Sequence, residues 1–244
     1  IGGREEQQDR VDIIPSPRTE DCLLVLADGM GGQSGGALAS QAVIDVARLR
    51  FQKTYSTDPQ TFLSELCEQA HQVVTRLGDQ DGHSPGSTCV FLYLVDKKAY
   101  WAHVGDSRLY LLRRGEMLHR TRDHSVAQML VTEGRMAEEE INTSPLKNQL
   151  YMRLGGEQRP QPEFGATEAE HGDILALCSD GFWENVNPEE ISSTISAGDI
   201  ENATENLVQV ARERGDIYCD NISLAIAQLH KSPRKYGLEW TQNR

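Results

Sequence analysis

The stretch CLLVLADGMGG, from Cys22 to Gly32, decides the fold. Its six leading apolar residues lack the polar alternation of a half-exposed strand, so they read as a strand buried on both faces. The strand is expected to span 22–27 and to end at Asp28. Gly29, Gly31 and Gly32 then give a loop whose backbone can approach a ligand closely. Residues 173–178, DILALC, repeat the design and end at Ser179-Asp180-Gly181. Asp220-Asn221 precedes a third such run, 222–229, and Gln8-Asp9 stands near the start of the chain. Strand ends bring distant residues together. Carboxylates gathered there without Lys or Arg among them repel, and a divalent cation is their natural occupant. The pattern points to an enzyme built on a hard metal.

Around this stretch the chain reads as mixed helix and strand. Apolar spacing predicts a helix over 37–51, and Asp58-Pro59 starts a second that Gly78 can end. Residues 87–95 and 99–105 flank Asp96-Lys97-Lys98 as a hairpin. Residues 108–112 and 116–119 flank Arg113-Arg114-Gly115 as another. The polar stretch 120–150 reads as a flap beside a site, with Gly134 capping its first short helix. Asn187-Pro188 with Glu190 marks a helix start, and 199–214 is a further helix stopped by Gly215. Hairpins dominate the middle, which favours antiparallel sheets with helices packed outside. The expected organisation is one catalytic domain over 1–230 and a polar, basic tail over 231–244.

Composition narrows the function. The chain has 244 residues, a net charge of -13 and a pI near 5.0. No basic stripe is on offer for nucleic acid, nor for an anionic membrane surface. No apolar run is long enough for a membrane span, and no secretory core is seen. The five cysteines, Cys22, Cys67, Cys89, Cys178 and Cys219, are odd in number and show no C-x-x-C spacing. A reducing cytoplasm is therefore expected. Nothing demands a dimer, so a monomer is expected. The chain opens on Ile, and a few natural residues are expected ahead of it.

Taken singly, each acid has a bland reading. Asp28, Asp106 and Asp180 resemble turn residues, Asp220 a cap, and Asp9 part of a solvated face. Order and context decide instead. The set R-x-x-x-Q-D (4–9), D-G-M-G-G (28–32), G-D-S-R (105–108), D-H-S (123–125), S-D-G (179–181) and D-N (220–221) resembles the metal-dependent Ser/Thr protein phosphatases, the PPM or type 2C family. Gly86-Ser87-Thr88 and the segment Leu150–Gly155 fit the same order. Met30, where animal members have His, resembles the bacterial branch.

The resemblance implies an α+β fold, a four-layer αββα sandwich whose two central, mostly antiparallel sheets are flanked by helices. It implies two ions, Mn²⁺ or Mg²⁺. Asp28 would bridge them, Asp180 and Asp220 would complete one shell, and the Gly29 carbonyl with Asp9 would serve the other. Asp106 would join Asp180 at a third, weaker ion. Arg4 would grip the substrate phosphate, and Glu184 would orient a water. Two ions activate a water for in-line attack on phosphoserine or phosphothreonine. Met30 cannot donate a proton to the leaving alkoxide, so a metal-bound water is the preferred acid. Among His124, His103 and His71, His124 is the first alternative. The partners implied are phosphorylated proteins and a cognate Ser/Thr kinase. Two other readings compete: a catalytically dead phosphoprotein-binding scaffold, and another two-metal hydrolase such as a phosphodiesterase.

Overall fold

Along β2 (Cys22–Met30) successive side chains enter different cores. Leu23, Val25 and Ala27 face one apolar layer, whereas Cys22, Leu24 and Leu26 face another. Alternation with a period of two, apolar on both sides, explains the unbroken run. The structure, a computed structural model, describes residues 1–32, 35–53, 58–81, 84–215, 219–231 and 236–242.

The first sheet has the order β1 (Asp9–Pro15), β2, β4 (Cys89–Val95), β5 (Lys98–Val104) and β8 (Glu163–Glu168), with the short β3 (Gly86–Ser87) beside the end of β2. The second has the order β11 (Tyr236–Gln242), β10 (Leu224–Lys231), β9 (Ile174–Cys178), β6 (Arg108–Arg113) and β7 (Glu116–Arg120). Every strand pairing among the described residues is antiparallel.

Three apolar layers hold four structural ones. Helices α1 (Gly35–Lys53) and α2 (Pro59–Asp81) bring Val43, Ala47, Leu63 and Leu66 against Val25 and Phe91 of the first sheet. Between the sheets, Leu24 and Leu92 meet Leu175, Leu177 and Ala225. Helices α5 (Pro188–Ala197) and α6 (Ile200–Gly215) cover the second sheet with Ile191, Ile195 and Leu207 against Ala176 and Ile226. The expected αββα sandwich is the observed one. Each fully buried Leu in these layers contributes on the order of 2 kcal/mol by removal from water.

Both expected hairpins form, with tighter turns than expected. Val95 pairs with Lys98 and Arg113 with Glu116, leaving two-residue loops. Asp96 and Lys97 have φ of 48° and 63°, and Arg114 and Gly115 have 55° and 89°. Two consecutive left-handed residues match the twist of the strands they join. Asn187 caps α5 in a reciprocal box with Glu190, as read. Gly134, at φ 69°, closes α3 (Val126–Thr132) in the flap, which continues into a 3-10 turn over Glu138–Thr143.

Other boundaries move. β2 does not stop at Asp28, because β3 offers it a partner: Gly29 lies opposite Ser87 and Met30 opposite Gly86. Helix α2 runs past Gly78 to Asp81. The residues expected as a tail from 231 to 244 instead supply β11, paired along β10 from Ala225↔Gln242 to Lys231↔Tyr236. Without it β10 would expose a row of unpaired backbone groups. Ser34 of the Gly-rich loop, and 232–235 and 243–244 of the expected tail, lie outside the described residues.

Candidate active site and metal centre

Both sheets contribute acids to one place. Asp9 opens β1 and stands directly opposite Asp28 of β2. Asp180 follows β9 and opens the short helix α4 (Asp180–Trp183), and Asp220 precedes β10, the neighbour of β9. Asp106 lies in the connection from β5 to β6, where the chain crosses from the first sheet to the second. Asp9, Asp106 and Asp180 are buried, while Asp28 and Asp220 keep some exposure.

Backbone hydrogen bonds fix these positions. The Asp28 N–H donates to Thr88 Oγ1 at 2.9 Å, and its carbonyl accepts from the Thr88 N–H at 2.8 Å and from Ser87 Oγ at 3.1 Å. Gly29 sits beside it with no room for a side chain, since a Cβ there would collide with the Gly36 carbonyl of α1. The Asn221 side chain gathers the N-terminal segment. Its Oδ1 accepts from the Gln8 N–H at 2.7 Å, and its Nδ2 donates to the carbonyls of Ile1 and Glu6. Gly181 packs so closely on Asn221 that a Cβ would strike its carbonyl oxygen.

The acids disturb one another. Burial pushes the Asp28 carboxyl well above its ordinary range, and Asp9, Asp180, Asp106 and Asp220 push it further. Asp180 behaves alike: burial first, then Asp106, Asp220, Asp9 and Glu184. Burial lifts Asp9 from 3.8 to about 6, against the pull of the Ser179 and Ser223 hydroxyls. Burial and Asp123 lift Asp106 to about 7, opposed by Arg108 and aided by Glu184. Asp9 Oδ2 is buried without a hydrogen-bond donor. An all-oxygen donor set of this kind, costly to keep ionised alone, fits a hard divalent cation such as Mg²⁺ or Mn²⁺.

Arg4 and Lys147 stand at this cluster, as Arg108 does beside Asp106, contrary to the expectation of acids without Lys or Arg. Arg4 forks Asp220, with Nε to Oδ1 at 2.9 Å and Nη2 to Oδ2 at 2.6 Å. Lys147 of the flap meets Glu184 at 2.8 Å. The Glu184 N–H in turn donates to the Asp180 carbonyl at 3.0 Å.

The structure thus brings Arg4, Asp9, Asp28, Gly29, Asp106, Asp180, Glu184 and Asp220 together. His124 stands beside the Asp106 turn with its ring already engaged. His124 Nδ1 accepts from the Gly105 N–H at 3.1 Å, and the ring stacks on His103. Burial and His103 lower its pKa to about 4, so the ring is neutral near pH 7. His103, His124 and Glu163 lie close enough to suggest a second metal group. The Nδ1 lone pair of His124 is already engaged, and His103 Nε2 is occupied by the Arg122 carbonyl at 2.8 Å. His71 is structural, its Nδ1 accepting from the Gly155 N–H. Trp183 was not singled out from sequence, and Asn221 and Thr88 entered only as members of the D-N and G-S-T motifs, with no role given. Each acts through the backbone of an acid or its neighbour, and isolated residues of these types carry no such signal.

A two-sheet sandwich with carboxylates gathered where its sheets meet fits a metal-dependent hydrolase. Residues 3–220 match the family described as Protein phosphatase 2C. The protein phosphatase PhpP of Streptococcus pneumoniae is 32% identical over 233 residues, covering 93% of this chain and 94% of that one. The Ser/Thr phosphatase of S. agalactiae superposes with a TM-score of 0.84 at 28% identity, covering 91% and 93% of the two chains. The catalytic domain of the Ser/Thr phosphatase PstP, in complex with two manganese ions, gives 0.80 at 28% identity, covering 93% and 94%. The chain belongs to the protein phosphatase 2C family and is a metal-dependent protein phosphatase of the bacterial type.

Proposed function

We propose that this protein hydrolyses phosphoserine and phosphothreonine in proteins, reversing a Ser/Thr kinase, with Mn²⁺ or Mg²⁺ bound among its acids. The observation that carries this reading is the convergence of Asp9, Asp28, Asp106 and Asp180 from both sheets on one place, where burial raises each carboxyl above its ordinary range. Asp28 would be shared by two ions. Asp180 and Asp220 would complete one shell, and Asp9 with the Gly29 carbonyl would serve the other. Asp106 with Asp180 would hold a third, weaker ion. When bound, such a pair of ions supplies an activated water for in-line attack and neutralises phosphoryl charge.

The chain's own residues do the rest. Arg4 is well exposed and forks a carboxylate through two parallel bonds. A phosphoryl group offers the same pair of oxygens, so the guanidinium can exchange Asp220 for substrate. Glu184 lies against Asp180 and Asp106 and offers an acceptor for a water in the site. Met30 holds no transferable proton. Lys147 extends the flap to the cluster, so a docked phosphoprotein would meet flap and acids together.

The test is phosphate release from a phosphothreonine peptide with and without Mn²⁺, for wild type, Asp28→Ala and Asp180→Ala. Activity that survives chelation, or that is unaltered in both variants, removes the two-metal reading. Inactivity on several phosphopeptides with Mn²⁺ bound points to a phosphoprotein-binding scaffold.

A further inference from the structure

Asp106 and Asp180 can share a cation only if their separation is held, yet they stand on different elements. One is in the turn between β5 and β6, the other at the start of α4. Trp183, the last residue of α4, joins the two elements directly, its Nε1–H donating to the Asp106 carbonyl at 3.0 Å. We propose that Trp183, clamped by Arg108, is a positioning residue for Asp106 and sets the affinity of the weaker cation site. This rests on the proposed assignment of Asp106 to that ion.

The clamp is built from buried groups. The Arg108 guanidinium carbon lies 3.5 Å from the centroid of the Trp183 ring. Its Nε and Nη2 fork Asp123 at 2.8 and 2.7 Å, and its Nη1 donates to Tyr110 Oη at 3.1 Å. Trp183, Arg108, Asp123 and Tyr110 are all buried. A buried ion pair is a poor means of raising stability, because desolvation offsets its attraction. It does fix geometry. A planar guanidinium can fork a carboxylate and lie on an indole at once, whereas an ammonium cannot do both.

The remainder of the turn is held as firmly. The His124 N–H donates to the Gly105 carbonyl at 2.9 Å while the His124 ring accepts from the Gly105 N–H. Ser107 Oγ meets Thr88 Oγ1 at 2.7 Å, and that hydroxyl also accepts from the Asp28 N–H. With Gly105 and Ser107 anchored, the indole bond determines how far Asp106 stands from Asp180.

Isothermal titration of the chelator-treated full chain with Mn²⁺ tests this. Trp183→Phe deletes the N–H and keeps a ring; Arg108→Lys deletes the fork and the stack; Asp106→Ala is the control that abolishes the weakest binding event. Loss of one positioning hydrogen bond is expected to weaken that event by about tenfold in Trp183→Phe, with the two tighter events changed by less than about twofold. Turnover should fall at low Mn²⁺ and recover at high Mn²⁺, with KM for the phosphopeptide unchanged. A weakest event as tight as in wild type overturns the inference, and so does parallel weakening of all three. Wild type that binds only two Mn²⁺ overturns the Asp106 assignment itself. Should Arg108→Lys not fold, Trp183→Phe decides alone.

Discussion

Asp9 stands directly across the β1–β2 ladder from Asp28, two carboxylates on facing strands. Burial raises both carboxyls above their ordinary range, and Asp9 pushes Asp28 further up. Here Asp9 also lacks a donor at Oδ2. Without metal, Asp9→Asn should therefore raise the unfolding temperature. With Mn²⁺ present the order should reverse, because a ligand at one hundred times its dissociation constant adds about 2.7 kcal/mol to the form that binds it. Thermal unfolding with and without Mn²⁺ checks both signs.

The pH dependence of the metal-free protein has a defined sign. Asp106 releases its proton near 3.8 in the unfolded chain and near 7 in the folded one. Between those values the folded state binds more protons, so stability falls as pH rises. Asn at position 106 does not titrate. The stability gained by Asp106→Asn over wild type should grow from pH 4 to 7 and then level off, as read by urea unfolding in chelator. A gap that shrinks over that range contradicts the assignment.

Arg4→Ala should act on substrate rather than on metal. Loss of a charge-assisted pair of hydrogen bonds corresponds to roughly a 10- to 100-fold fall in kcat/KM. Arg4→Lys should recover only part of it, having no fork. Titration with Mn²⁺ should show the tight events retained in both variants.

Gly29→Ala and Gly181→Ala should be destabilising out of proportion to one methyl group. Each Cβ would meet a backbone carbonyl, of Gly36 and of Asn221, which cannot rotate away. Overpacking of this kind costs about 1–3 kcal/mol. Melting temperature and soluble yield are the measurements.

Asp173 offers a control remote from the acids. It is fully buried, forked by Arg113 at 2.7 and 2.8 Å, and accepts the Glu170 N–H at 2.8 Å. Asp173→Asn should lower stability by on the order of 3 kcal/mol, the scale for breaking one side of a buried pair. Turnover per folded molecule should be unchanged.

The fold was legible where burial writes a strong pattern. The runs at 22–27 and 173–178 had to be strands buried on both faces, and they are the facing strands of the sandwich. The strands β1 and β8 left little trace, because as edge strands they mix Arg10, Asp12, Glu163 and Glu168 with few apolar residues. Strand β11 was hidden for a different reason: its role comes from the open edge of β10, not from its own periodicity. The acids were legible as an ordered set of motifs and not one by one. Trp183 was illegible and Asn221 was read only as part of the D-N motif, since a side chain that holds another residue's backbone announces its role only in three dimensions.

Because Asp9 and Asp28 ride on one sheet while Asp180 and Asp220 ride on the other, the spacing of the acids is also a gauge of how the two layers are seated. A cation spanning Asp28 and Asp180 would act as a bolt through both. Loading it should quiet sliding of one layer over the other, visible as slower amide exchange in β2 and β9, far beyond the residues it touches.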